Sequence, residues 1–136
     1  MTVQEVKAKL NAVRAAYREY ELAKEKAVQF RGMLSGASQG FSDAPQTEHR
    51  GNCTEEKYFR MLEYSERANE KFREYIMHRL EAEKMIASLN YSDEREILTR
   101  RYILNEKWDI IANGTNYSIR HVTRLHGYAL IHLSCP

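Results

Sequence analysis

The chain has 136 residues, of which 43% are hydrophobic and 29% charged, with a formal net charge of +2. That is one domain of ordinary size, or a small domain with an extended arm. No apolar run approaches the ~18 residues of a membrane span, the start MTVQEVKAKL lacks the basic-then-apolar layout of a signal peptide, and a cytoplasmic protein is the expectation.

Thr2-Val3-Gln4-Glu5 has the spacing of a capping box and predicts a helix start. Val3, Val6, Leu10, Val13, Tyr17 and Tyr20 then recur at steps of three and four, and Ala23, Ala27, Phe30 and Leu34 continue the seam. The first helix is expected to stop near Leu34. Residues 35–53, with Gly36, Gly40, Pro45 and Gly51, read as a mobile loop. Thr54 is the expected N-cap of a second helix, from Glu55 to about Leu89. Two long helices joined by one loop predict an antiparallel hairpin over 1–90. Such a pair buries little apolar surface alone, so a homodimer or higher oligomer through this arm is expected.

A second domain is expected over 91–136, giving an all-α chain. Ser92 reads as the cap of a helix with Ile97, Leu98, Tyr102 and Leu104 on its apolar side. A short helix follows on Lys107–Asn113, with Trp108, Ile111 and Ala112 inward. Gly114 is the expected left-handed turn residue. Ser118 then caps a last helix whose core face holds Val122, Leu125, Ala129 and Leu133. A short helix, a tight turn and a longer helix predict a helix-turn-helix.

Charge distribution agrees with a DNA partner. Residues 1–91 hold 15 Lys/Arg and 14 Asp/Glu, but no acid follows Asp109, while Arg120, His121, Arg124, His126 and His132 do. Candidate DNA-binding residues are Ser118, Ile119, Arg120, His121, Thr123, Arg124 and Lys107. Arginine pairs with guanine or phosphate. Thr123 and Ile119 suit a thymine methyl, and Ser118 with the helix N-terminus suits a phosphate. Arg100 and Arg101 are expected to reach the flanking backbone, and His126 to add a pH-dependent contact. Tyr17, Tyr20, Tyr64 and Tyr75 stand at helical spacing and read as packing, not as a single-strand stacking platform. No metal-ligand spacing or phosphate loop is present in the sequence, so neither an enzyme nor a cofactor is expected. Cys53 and Cys135 share no motif and read as free thiols.

The residues Glu94-Arg95-Glu96-Ile97-Leu98, Arg101-Tyr102, Asp109-Ile110-Ile111-Ala112, Gly114, Ser118, Val122 and Ala129-Leu130 with Leu133 resemble region 4 of bacterial sigma factors. With Trp108, Tyr117-Ser118 and Leu125-His126-Gly127-Tyr128, the segment is closer to small phage and prophage proteins of Gram-positive bacteria, similar to the RinA and ArpU late-transcription regulators. The resemblance covers about a third of the chain. It implies a sequence-specific DNA-binding regulator that acts with host RNA polymerase in a bacterial cytoplasm. It also implies that Ile119, Arg120, Thr123 and Arg124 face the groove. No segment resembles the sigma regions that bind core polymerase and melt the promoter. A DNA-packaging subunit like a small terminase, or a polymerase-interaction module that does not read DNA, are the alternatives.

Overall fold

A computed structural model describes residues 1–35 and 50–135, without the side chains of 35 and 50–54. The described residues are all-α, with no strand. Helix α1 is Val3–Ser35 and α2 is Arg50–Ala87. Helix α3, Ser92–Leu98, runs on into a π-helical turn at Thr99–Ile103. Helix α4 is Trp108–Thr115 and α5 is Ile119–Ser134. The expected loop over 35–53 falls mostly on 36–49, outside the described residues.

The capping box forms as expected. The Thr2 N–H donates to Glu5 Oε2 at 2.9 Å, and the Glu5 N–H donates to Thr2 Oγ1 at 3.2 Å. Thr54 does not stand at the start of α2, which already runs from Arg50. Ser92 is itself inside α3, whose N-cap is Tyr91, with no side-chain cap bond. Lys107, the expected first residue of the short helix, is the N-cap of α4.

Two compact units divide the chain, Arg18–Arg73 and Met1–Tyr17 with Glu74–Pro136. This cuts the chain elsewhere than the 90/91 boundary read from the order of elements. The first turns of α1 and the end of α2 belong with α3–α5, because their apolar faces are buried there. In that unit Val6, Leu10 and Val13 are fully buried, with Tyr75, Ala82, Ile86 and Leu89 of α2 and the following turn also buried. A bare helix pair does not enclose side chains so completely. Tyr17 packs on Tyr75 with ring centroids 5.2 Å apart, and Lys9 pairs with Glu81 at 3.0 Å.

In the unit Arg18–Arg73, Tyr20 packs on Phe72 at 5.1 Å and Phe30 on Tyr64 at 5.2 Å. Lys71 Nζ meets Glu19 Oε1 at 3.0 Å. Within each unit the partners descend α2 as they ascend α1, so the pair is antiparallel. The tyrosines are packing residues, as their spacing predicts.

A second core sits among α3, α4 and α5: Ile97, Ile111, Ala112 and Val122, ringed by Trp108, Tyr117 and Leu125. Leu104, expected inward, is exposed. The π turn inserts one residue relative to an α-helix, and the Leu104 N–H reaches Thr99 O at 2.9 Å. The phase of the pattern shifts there, so a strict 3.6-residue reading carries Leu104 to the wrong side.

Candidate nucleic-acid interface

Each of the two turns that flank α4 is closed by an asparagine in the left-handed conformation. Asn105 has φ 58° and Asn116 φ 63°. Asparagine tolerates this region better than other residues with a Cβ. Asn116, not Gly114, therefore ends α4. The Tyr117 N–H returns to Ala112 O at 3.1 Å, and the Asn116 N–H also points to Ala112 O. Gly114 lies inside the helix. Its bare Cα admits Arg100: a Cβ there would stand 2.9 Å from Arg100 Nη1.

Ser118 is the N-cap of α5, and its side chain accepts from the His121 N–H at 3.1 Å. Val122 and Ala129 turn into the core, with Leu125 and Leu133 half-buried beside them. Helical geometry then sends Ile119, Arg120, Thr123 and Arg124 to the opposite side, where all four are exposed. Thr123 Oγ1 donates to Ile119 O at 3.1 Å and to Arg120 O at 3.0 Å. Its donor is engaged within the helix, and its methyl and acceptor lone pairs are what it can offer. Arg120 and Arg124 have no ion-pair partner among the described residues.

His121 is half-buried, its ring edge-on to Tyr117 with centroids 4.7 Å apart. Tyr117 in turn donates to Asp93 Oδ2 at 3.0 Å, which ties the turn to α3 and holds the phenol above its ordinary pKa. Lys107 is exposed at the N-cap of α4. About 12 Å of helix separates it from the turn that leads to α5. The structure thus gathers five of the seven candidates on the first turns of α5, counting Ser118. His121 is drawn partly inward, and Lys107 stands at the other end of α4.

Three expectations for neighbouring residues are corrected. Arg100 is held by Glu96 at 2.9 Å and Glu106 at 3.3 Å, so it braces α3 against the next turn. Arg101 lies over the Trp108 ring, Cζ 4.4 Å from the centroid, and donates to Glu106 O at 3.2 Å. His126 is interior. Tyr102 stacks on it and Trp108 meets it edge-on at 5.0 Å. Burial, then the charges of Lys7 and Arg101, push its pKa down to about 4. It is neutral at neutral pH and offers no charge to a phosphate.

Sequence reasoning missed two polar contacts. Buried Glu94 meets His132 Nδ1 at 2.8 Å, thirty-eight residues on. Arg14 Nε donates to Asn105 Oδ1 at 3.3 Å across ninety-one residues. Only the tertiary fold brings such partners together, and no local signal marks them. Among the described residues no helix is long and apolar enough to cross a membrane, and no three His, Cys, Asp or Glu side chains converge as a metal site would need. Cys135 is exposed and free, while the Cys53 side chain is outside the described residues.

No family model, curated protein or solved structure matches the chain.

Proposed function

We propose that this protein binds double-stranded DNA sequence-specifically through the first turns of α5, and acts as a phage or prophage transcriptional regulator alongside host RNA polymerase. One observation carries the reading. Ile119, Arg120, Thr123 and Arg124 are exposed together at the capped start of a helix that packs on α4 and is joined to it by three residues, the first of them the left-handed Asn116. A recognition helix requires that combination: an apolar face locked into the domain and a polar N-terminal face free to enter a groove. Two unpaired arginines there suit guanine edges or phosphates. The absence of acids after Asp109 removes local repulsion of a polyanion.

The protein works in this reading by binding rather than by catalysis, in the cytoplasm of a bacterial host. The helix pair supplies self-association. The test is a salt titration of duplex affinity for the wild type and for Arg120→Ala with Arg124→Ala. The double variant is expected to bind weakly, with a salt slope shallower by about 0.9 for each lost phosphate contact. Equal affinity and equal slope would remove Arg120 and Arg124 from the interface.

A further inference from the structure

Arg14 of α1 and Arg101 of the π turn are anchored on adjacent residues. Arg14 Nε donates to the Asn105 side chain, and Arg101 Nη1 to the Glu106 carbonyl. The left-handed backbone at Asn105 lies at the centre of this arrangement. Both arginines are half-buried. Neither has a carboxylate partner among the described residues, because Glu106 gives its carboxylate to Arg100. The face of Arg101 is covered by Trp108.

Two like charges held close, partly out of water and without a counter-ion, are unfavourable until an anion joins them. Burial and the neighbouring Arg14 charge together hold the Arg101 pKa below its ordinary value. Lys7 lies two turns before Arg14 on the same face of α1, is exposed, and has no ion-pair partner among the described residues. Its charge, like that of Arg101, acts on His126. Lys107, next in chain after Glu106, is exposed as well. Planar guanidinium forks fixed by hydrogen bonds are matched to an oxyanion with paired oxygens.

We propose that Arg14 and Arg101, with Lys7 beside them, form a clamp for a phosphodiester of the DNA backbone. This inference rests on the DNA-binding reading and adds to it a contact from the first helix, far in sequence from the helix-turn-helix. The occupant is a backbone phosphate because the same unit presents the exposed start of α5. Phosphate contacts of this kind fix register without reading sequence.

The experiment uses the full chain and a 30-bp duplex of random sequence, with affinity measured across a salt series. Variants are Arg14→Gln, Arg14→Lys, Lys7→Gln and the Arg120→Ala, Arg124→Ala pair, each checked by circular dichroism melting. Arg14→Gln is expected to lower the salt slope by about 0.9, and Arg14→Lys to restore most of it. Lys7→Gln, at an exposed position, is expected to lower the slope too and serves if Arg14→Gln unfolds. Wild-type slopes in Arg14→Gln and Lys7→Gln, with a reduced slope in the α5 pair, overturn the clamp and leave the DNA reading standing. Absence of any duplex binding by the wild type overturns both. Saturable binding of inorganic phosphate in calorimetry, with the duplex slope untouched by Arg14→Gln, also overturns it.

Discussion

His126 Nε2 lies 2.8 Å from the Tyr102 hydroxyl, and the two rings stack with centroids 5.7 Å apart. Neutral histidine with its proton on Nδ1 accepts from the phenol here. Burial holds Tyr102 above its ordinary pKa, so it stays protonated and can donate. A protonated ring would donate from Nε2 to the same hydroxyl, so the hydrogen bond serves either form, while burial and the positive field of Lys7 and Arg101 favour the neutral ring.

Stability follows with a definite sign. The pKa of His126 falls from 6.5 to about 4 on folding. Between those values the unfolded chain binds a proton that the folded chain does not. The contribution is full above pH 6.5 and is lost progressively as pH falls toward 4, on the order of 3 kcal/mol across the window. Chemical denaturation at stepped pH checks this. His126→Gln is expected to flatten the slope between pH 6.5 and 4, and an unchanged slope would place the titration elsewhere.

Gly114, Asn116 and Gly127 separate turn from helix. Gly114→Ala trades a gain of up to ~1 kcal/mol in helix propensity against a shift of the flexible Arg100 end. Its surface ion pairs are worth about 0–1 kcal/mol each. A net change within about 1 kcal/mol is expected. Asn116→Ala puts a residue without asparagine's tolerance at φ 63° and is expected to cost roughly 1 kcal/mol, whereas Asn116→Gly is neutral or stabilising. Gly127 lies inside α5, and a Cβ there meets nothing within 4 Å. Gly127→Ala should stabilise by about 0.5–1 kcal/mol. Melting curves rank the four variants.

Self-association should depend on apolar side chains that the unit Arg18–Arg73 leaves open. Phe59 is 67% exposed, Leu22 60% and Leu62 52%. Phe59 and Leu62 are neighbours at i, i+3 on α2, and exposed apolar groups of this size favour burial against another surface. Analytical ultracentrifugation of the full chain is expected to give a dimer or larger species. Phe59→Ser with Leu62→Ser should yield a monomer with unchanged helix content. A monomeric wild type would remove oligomerisation from the account.

Local signals were legible in the sequence where one element decides them. The Thr2–Glu5 box, the Ser118 cap and the inward set Ile111, Ala112 and Val122 follow from spacing and side-chain chemistry alone. The exposed set on α5 follows from the same periodicity. The turn was misread because glycine is the commoner left-handed residue, while Asn116 two positions later does that work and Gly114 makes room for Arg100. The π turn leaves no mark in the composition of Thr99–Ile103, so the face of Leu104 could not be read. Arg100, Arg101 and His126 look like free surface charges in sequence, and their partners Glu106, Trp108 and Tyr102 become visible only in the folded chain.

The central claim is sequence-specific duplex recognition by the start of α5. Selection of duplexes by the full chain from a random pool, followed by sequencing, tests it most directly. The account predicts an enriched motif of a few base pairs for the wild type. It also predicts loss or relaxation of that motif in Arg120→Ala and Arg124→Ala. A pool that stays random, or a motif left intact by both replacements, would contradict it.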